Sequence, residues 1–224
     1  MKGIELYPYQ QELVADFEKV DKILCLWGRI TGKTLMAGYL ASKYCYDHTG
    51  VDVVLVTPIL AQGLFLQQFA KYYAEAQPYW CRAKRVLQCL MKRIQRKSHD
   101  SRFSIIAAIA RACVATNVEV LIIDSCEMVS KPLAELAKLM LAPDGKLVLF
   151  SNATYKGHWI HKLFKSKQYH VMRVKTCENP NVDAKFLNNM QKMVGIDLFE
   201  LNFCTNFIKR PKNLQNNGRP DYLG

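Results

Sequence analysis

The sequence is poor in acidic residues and contains no long apolar run. Its 19 Asp and Glu residues are outnumbered by 31 Lys and Arg residues, which gives a formal net charge of +12. No stretch of about eighteen uncharged apolar residues occurs, so no membrane-spanning helix is expected. The first residues lack the apolar core of a secretion signal, which argues against export.

Metal-binding and disulfide patterns are also missing. The eight cysteines include no Cys-x-x-Cys pair, and this pattern favours a reducing intracellular environment over a disulfide framework. Cys25 and Cys126 fall in or beside predicted core strands, where a thiol acts as a small apolar group. His158 and His161 share a predicted helical face without a cysteine or carboxylate at ligand spacing, which favours packing or surface roles over zinc binding.

The excess positive charge is concentrated in three groups, which favours a polyanionic partner and most simply nucleic acid. The densest group, between residues 82 and 102, contains a single acid, Asp100. It fits either a solvated helix face or a surface that contacts phosphates. The groups are Arg82, Lys84, Arg85, Lys92, Arg93, Arg96, Lys97 and Arg102; Lys156, Lys162, Lys165 and Lys167; and Lys209, Arg210, Lys212 and Arg219.

Apolar strands alternate with helical patterns along the chain. This alternation predicts an α/β fold with a mostly parallel sheet and helices on both faces, and such sheets bind ligands at the carboxyl ends of their strands. The predicted strands are Lys22–Trp27, Val51–Val56, Phe103–Ala108, Val118–Ile123, Lys146–Phe150 and His170–Lys175. The predicted helices are Gln10–Lys19, Leu35–Tyr46, Pro58–Ala76, Pro132–Leu141, Trp159–Lys165 and Asp183–Met193.

The segment Gly28–Thr34, Gly-Arg-Ile-Thr-Gly-Lys-Thr, lies between a predicted strand and a predicted helix. This order is typical of a phosphate-binding loop, in which backbone N–H groups and the positive end of the helix bind phosphate oxygens. We expect Lys33 to reach the β- and γ-phosphates and the Thr34 hydroxyl to bind Mg²⁺. The spacing is unusual, because only three residues separate Gly28 from Gly32, and Trp27 occupies the usual glycine position.

A second motif ends the apolar strand Val118–Ile123. Asp124 follows the strand directly and Glu127 lies close behind, which is the form of a Walker B segment. We expect Asp124 to hold the Mg²⁺ shell through water and a nearby carboxylate to polarise the attacking water. The acid usually follows the aspartate directly, but Ser125 stands there. Either Glu127 takes the role of the base, or the base is missing and hydrolysis is slow.

A third predicted strand, Lys146–Phe150, delivers Ser151, Asn152 and Thr154 to the same edge of the sheet. Small polar groups at this edge can sense a γ-phosphate by hydrogen bonding and pass its loss to a neighbouring segment. This signal is weak by itself, and it gains weight from its order after the two other motifs.

Together these residues resemble the ATPase domain of the large terminase subunit, the DNA-packaging motor of tailed viruses. The resemblance covers roughly Leu6–Phe207. It begins at Tyr7–Gln11, which is similar to an adenine-recognising segment in which Gln10 reads the base edge. The other similar segments are Gly28–Thr34, Val56–Gln62, Phe150–Thr154, Thr176–Leu187 and Phe199–Phe203.

The resemblance implies a P-loop NTPase fold of the ASCE or RecA-like kind, with residues 1–207 as the ATPase domain and 208–224 as a polar, basic tail or linker. It implies a Mg²⁺-dependent ATPase that drives double-stranded viral DNA into a procapsid, in the host cell cytoplasm. Implied partners are DNA, a portal, a small terminase subunit and further copies in a ring, without a membrane. The RNase H-like nuclease domain of large terminases is not expected, because the sequence ends at Gly224.

The resemblance also assigns individual roles. Arg29 is expected to swing toward the γ-phosphate, and Arg111 or Arg102 is the candidate for a finger supplied to a neighbouring subunit; contact with DNA is the alternative for either arginine. The predicted nucleotide-binding residues are Gln10, Gly28, Arg29, Ile30, Thr31, Gly32, Lys33, Thr34 and Asp124. The predicted catalytic residues are Lys33, Asp124, Glu127, Arg29 and Arg111, the Mg²⁺ ligands are Thr34 and Asp124, and the coupling residues are Ser151, Asn152 and Thr154.

Two other interpretations stay open. A superfamily 2-like helicase or remodelling ATPase shares the sheet and the adenine-reading glutamine, but it needs a second motor domain. A non-hydrolysing nucleic-acid-binding protein with a degenerate nucleotide site is the other, and Ser125 is the residue that favours it. Rates of ATP hydrolysis with and without double-stranded DNA distinguish a motor from a binding module.

Overall fold

The computed structural model describes residues 5–48, 50–58, 89–96, 99–107 and 117–210. The strands within these ranges are β1 Lys22–Trp27, β2 Asp52–Thr57, β3 Cys89–Arg96, β4 His99–Ala107, β5 Val118–Ile123, β6 Leu141–Ser151 and β7 His170–Val174. They form one sheet in the order β3-β4-β2-β5-β6-β1-β7. Only β3 and β4 pair antiparallel among these strands, so the prediction of a mostly parallel sheet is confirmed.

Six helices accompany the sheet in the described ranges. They are α1 Pro8–Lys19, α2 Lys33–Asp47, α3 Lys131–Lys138, α4 Trp159–Ser166, α5 Ala184–Val194 and α6 Ile196–Asn202. Three of them begin at a side-chain cap: Ser130 Oγ accepts from Leu133 N at 3.4 Å, Asp183 Oδ1 accepts from Phe186 N at 2.6 Å, and His158 caps α4 as described below. Such caps satisfy N–H groups that the helix itself leaves unpaired.

Helices cover both faces of the sheet, as predicted. Successive residues of β1 point to opposite faces: Ile23, Cys25 and Trp27 pack in a core that includes residues of α1 and α2. Leu24 and Leu26 pack in a second core with residues of α3 and α4. All five side chains are fully buried, and burial of each large apolar group contributes about 1.5–3 kcal/mol. No described helix is long and apolar enough to cross a bilayer.

The edge strand β3 was not predicted. The basic group between residues 82 and 102 fits a helix face in the sequence, but residues 89–96 form a strand paired from Cys89 with Ile106 to Arg96 with His99. The helix-face interpretation is therefore wrong for this stretch. Edge strands commonly carry charged side chains, which conceal the apolar pattern of a strand. Residues 82–88 lie outside the described part, as do residues 59–76 of the predicted helix and residues 211–224 of the tail.

Two boundaries between α3 and β6 were also wrong. The helix ends at Lys138 instead of Leu141, and the strand begins at Leu141 instead of Lys146. Pro143 and Gly145 indicate a loop in the sequence. In the structure the pairing of β6 with β5 changes register between Val118 and Val120. This irregularity accommodates Pro143 and Gly145 within a continuous strand. The helix α6 was not predicted as a helix either.

The two histidines near α4 have packing roles. His158 caps the helix, because its Nδ1 accepts from Ile160 N at 3.3 Å. His161 Nδ1 accepts from Gly157 N at 3.2 Å, and its ring centroid lies 4.9 Å from that of Phe207. These contacts agree with the packing interpretation of the sequence.

Gly28 lies where the chain leaves β1 and passes close to the segment after β7. Its N–H donates to Val174 O at 2.7 Å. A Cβ at this position would lie 2.5 Å from Thr176 Oγ1, 2.9 Å from Thr176 N and 3.0 Å from Phe203 O. Two of these atoms belong to the backbone, so they cannot rotate away.

We expect Gly28→Ala to lower the free energy of unfolding by about 3 kcal/mol, the upper end of overpacking effects, as measured by urea denaturation. Gly50→Ala is the comparison, because its added Cβ meets no atom within 4 Å and only its φ of +69° opposes the change, at about 1–2 kcal/mol. Equal losses in the two variants would contradict the packing argument.

Candidate functional site

The turn between β1 and α2 surrounds the Lys33 side chain. Lys33 Nζ donates to Trp27 O and Gly28 O, both at 2.9 Å, and to Asn152 Oδ1 at 2.7 Å. Burial lowers the pKa of Lys33 to about 8, although the nearby charges of Glu127 and Asp124 raise it. Gly32 has a φ of +88°, a conformation that glycine adopts without strain and that lets α2 begin at Lys33.

Thr34 and Asp124 meet between α2 and the end of β5. Thr34 Oγ1 donates to Asp124 Oδ2 at 2.7 Å, and Ser125 N donates to Asp124 Oδ1 at 2.9 Å. Burial raises the pKa of Asp124 to about 6, against the hydrogen bond from Thr34, which lowers it. A hydroxyl and a carboxylate are hard oxygen donors of the kind that Mg²⁺ prefers. The two residues therefore fit the predicted Mg²⁺ site.

Glu127 reaches the same edge in spite of its displaced position in the sequence. Ser125 has a left-handed backbone with φ +52° and ψ +50°, and a short 3-10 turn, Cys126–Met128, follows it. Glu127 Oε2 then accepts from Ser151 Oγ and Asn152 N, both at 3.1 Å, and Oε1 accepts from Asn152 Nδ2 at 3.0 Å. The turn at Ser125 thus returns the acid to the end of β6.

Asn152 joins the lysine to the acid. Its Oδ1 accepts from Lys33, and its Nδ2 donates to Glu127 and also to Asn202 Oδ1 at 3.2 Å. Ser151, whose Oγ lies 2.7 Å from Asn152 O, completes the polar end of β6. The Thr154 hydroxyl is buried and has no hydrogen-bond partner among the described residues, so its coupling role stays a prediction.

The side of the loop that faces α1 is held by two residues of that helix. Tyr9 OH donates to Thr31 O at 3.1 Å, and Gln10 Nε2 donates to the same oxygen at 3.2 Å. Gln10 Oε1 also accepts from Tyr7 N at 3.1 Å, at the start of α1. Gln10 therefore supports the loop, a role that the sequence analysis did not assign, and its role in reading a base stays a prediction.

Three further side chains hold the opposite side of the loop, and none was predicted as a site residue. Thr176 Oγ1 donates to Arg29 O at 2.8 Å, and Asn179 Nδ2 donates to Ile30 O at 2.6 Å. Asn202 Oδ1 accepts from Arg29 Nε at 3.2 Å. The segments that contain them resemble terminase sequences, but a resemblance does not show which side chain contacts the loop.

The middle of the loop is strained. Ile30 has a φ of +63°, which is rare for a β-branched residue. Its side chain is 54% exposed, so packing in the core does not compensate for the torsion. Unfavourable backbone torsions of this kind cluster at functional sites.

The structure does not test Arg111 as a finger and places the backbone of Arg102 away from this cluster. Arg111 lies outside the described residues. Arg102 pairs with Asp52 at the amino end of the parallel strands, opposite the edge that carries the loop. Of the predicted residues, the structure brings Gln10, Gly28, Arg29, Ile30, Thr31, Gly32, Lys33, Thr34, Asp124, Glu127, Ser151 and Asn152 together at the carboxyl edge.

Solved structures share this architecture. The large terminase of a thermophilic bacteriophage matches with a TM-score of 0.74 and 11% identity, over 92% of this chain and 54% of that one. The ATPase domain of the Thermus phage P74-26 large terminase matches with a TM-score of 0.70 and 12% identity, over 92% of this chain and 95% of the domain. The chain has the fold of the large terminase ATPase domain.

This terminase ATPase fold is also found in the HK97 bacteriophage large terminase, with a TM-score of 0.64 and 12% identity, over 95% of this chain and 46% of that one. The chain thus spans about half the length of the thermophilic bacteriophage and HK97 proteins. Further structures of the thermophilic bacteriophage terminase are complexes with ADP and with ATP-gamma-S, at TM-scores of 0.72 and 0.69 and 13% identity. No family model and no curated protein sequence matches the chain.

The buried negative charge of Asp124 lowers the free energy of unfolding of this terminase ATPase fold, and denaturation experiments can measure the effect. Its pKa rises from 3.8 to about 6 on burial, so the folded protein binds the proton more tightly than the unfolded chain does. The contribution of the protonated form to stability is therefore complete below about pH 4 and is lost as the pH rises through about 6.

We expect Asp124→Asn to raise the free energy of unfolding by about 1–3 kcal/mol at pH 7.5 and to change it little at pH 4, measured by thermal melting in EDTA. The asparagine retains both bonds, since its oxygen accepts from Ser125 N and its NH₂ donates to Thr34. Asp144→Asn, at an exposed position, is the control. A gain that is equal at the two pH values would rule out the ionisation argument.

Proposed function

We propose that this protein is the ATPase of a viral DNA-packaging motor, which hydrolyses ATP with Mg²⁺ and moves double-stranded DNA. The observation that carries the proposal is the single hydrogen-bonded cluster of Lys33, Thr34, Asp124, Glu127 and Asn152 at the carboxyl edge of the sheet. The terminase ATPase fold supports it, and so do the nucleotide complexes of the thermophilic bacteriophage terminase.

The loop binds the phosphates of ATP. Lys33 exchanges its present partners, two main-chain carbonyls and the Asn152 amide oxygen, for oxygens of the β- and γ-phosphates. The left-handed backbone of Gly32 turns the chain so that N–H groups at the start of α2 face the anion. Gln10, on the side of the loop that faces α1, reads the edge of the adenine base.

Thr34 and Asp124 are the residues that would hold a Mg²⁺ ion, the aspartate by way of the ion's water shell. When bound, the ion neutralises phosphate charge and orients the γ-phosphoryl group. Asp124 must be ionised for this role, and its raised pKa of about 6 places the loss of the charge just below neutral pH. The Thr34 hydroxyl donates to Asp124, and its oxygen retains lone pairs that would be available to the ion.

Glu127 positions and deprotonates the attacking water. Its carboxylate accepts three hydrogen bonds from Ser151 and Asn152, so the base and the coupling residues are in direct contact. Water attacks the γ-phosphorus, the bond to the β-phosphate oxygen breaks, and ADP and phosphate leave. Because Glu127 reaches this edge, the substitution at Ser125 favours a non-hydrolysing protein less than the sequence alone does.

Hydrolysis is coupled to motion through the end of β6. Loss of the γ-phosphate returns Lys33 to Asn152, and Ser151, Asn152 and Thr154 pass the change to a DNA-gripping surface. Arg29 acts on the γ-phosphate in the same chain, and Arg111 acts in trans within a homo-oligomeric ring.

The net charge of +12 suits contacts with DNA phosphates that are independent of base sequence and weaken with salt. The motor works on a procapsid in the host cytoplasm, with a portal and a small terminase subunit.

We expect Lys33→Ala to reduce ATP turnover at least about 100-fold, the scale for loss of a preorganised electrostatic contact. Phosphate release is measured with and without double-stranded DNA, which should stimulate only the wild-type protein. Lys185→Ala, at an exposed position of α5, should behave as wild type. Undiminished turnover by Lys33→Ala would overturn the assignment of the site.

We expect Glu127→Gln to lower kcat by about 10²–10⁴-fold, the range for loss of a general base. The Kd of ATP-gamma-S should stay within about threefold, because Glu127 contacts the water and not the phosphate. Glu135→Gln, on α3, is the matched control; Glu135 pairs with Lys138 at 3.1 Å. A normal kcat for Glu127→Gln would mean that another group acts as the base.

A further inference from the structure

Asn202, the last residue of α6, connects the side chain of Arg29 to that of Asn152, two groups with no direct hydrogen bond between them in the described residues. Its Oδ1 accepts from Arg29 Nε and from Asn152 Nδ2, both at 3.2 Å. Its Nδ2 donates to Leu198 O at 2.9 Å within α6. This last bond fixes the orientation of the amide, so the oxygen faces the loop and β6 while the NH₂ group faces the helix.

The amide oxygen of Asn202 is fully used. An amide oxygen has two lone pairs, and here one accepts from a charged donor and the other from the residue that also holds Glu127 and Lys33. The main chain of Arg29 has a separate anchor, because its N–H donates to Asn202 O at 2.7 Å. The Arg29 side chain can therefore leave Asn202 while the loop backbone stays in place.

From these contacts we propose that Asn202 is a positioning residue that holds Arg29 away from the phosphates until a γ-phosphate is bound. This inference rests on the proposed function. Release of Arg29 removes a charged donor from the Asn202 oxygen and leaves Asn152 as its partner there. The Arg29 side chain and the Asn152–Glu127 pair thus both respond to binding of the γ-phosphate.

The position of Asn202 extends this response to α6. The helix is anchored near its carboxyl end, where Leu201 and Phe203 are buried and Phe203 O accepts from Thr176 N at 2.9 Å. Its first turn is open, since Ile196 is 67% exposed. A change at Asn202 therefore acts at the end by which the helix is attached to the site.

The test is the binding of two nucleotides by calorimetry, with Mg²⁺ present. Asn202→Ala removes the partner that competes for Arg29, so the Kd of ATP-gamma-S should fall roughly three- to tenfold, the net scale of one ordinary hydrogen bond at an exposed arginine. The Kd of ADP should not change, because ADP lacks the γ-phosphate. In an Arg29→Ala background, Asn202→Ala should have no effect on either nucleotide.

Asn202→Asp gives the opposite sign, because a carboxylate holds Arg29 more tightly and should weaken ATP-gamma-S binding while leaving ADP binding unchanged. Asn188→Ala, at an exposed position of α5, is the matched control. If Asn202→Ala does not fold, the direction of the Asn202→Asp shift decides between the outcomes. Equal effects on ADP and ATP-gamma-S, or an effect that persists without Arg29, would overturn the positioning role and leave the proposed function intact. Failure of the wild-type protein to bind either nucleotide would overturn both.

Discussion

The hydrogen bond from Thr34 to Asp124 is the contact on which the rest of the site depends. It joins the start of α2 to the end of β5, although β1 and β5 are not neighbours in the sheet. β6 lies between them, so the polar residues at its end, Ser151 and Asn152, stand between the loop and the acids. A sheet in which β5 paired directly with β1 would leave no place for Asn152, and neither Lys33 nor Glu127 would have this partner.

Charge burial sets the electrostatic character of the site. Lys33 and Asp124 both have pKa values displaced toward the neutral form, and burial is the main cause for each. Groups of this kind cluster where chemistry takes place, because stability alone does not favour them. Lys33 satisfies its ammonium group with two carbonyls and one amide oxygen. Binding of an anion is therefore an exchange of partners for the lysine, and its net affinity is smaller than the contacts alone suggest.

Local pattern predicted much of this architecture. The strands Lys22–Trp27 and Val118–Ile123 were predicted to the residue, because each is a mostly apolar run that stops directly before a site residue, Gly28 or Asp124. Contacts between residues far apart in the sequence were not predictable. Arg29 and Asn202 are 173 positions apart, and hydrophobic periodicity carries no information about such a pair. The geometry of Glu127 was hidden for another reason, since it follows from the left-handed torsion at Ser125. The edge strand β3 was missed because its charged residues obscure an apolar pattern.

The torsion at Ile30 has a consequence for the release of nucleotide in the proposed function. A β-branched residue at φ +63° raises the energy of the closed turn by about 1–2 kcal/mol relative to a glycine turn. A conformational change that relaxes this torsion starts from that higher energy, so its activation barrier is lower by up to the same amount of energy. In many enzymes the release of the product limits the turnover rate. In the proposed ATPase cycle, Ile30 therefore acts on the rate of nucleotide release, whereas Lys33 acts on the chemical step.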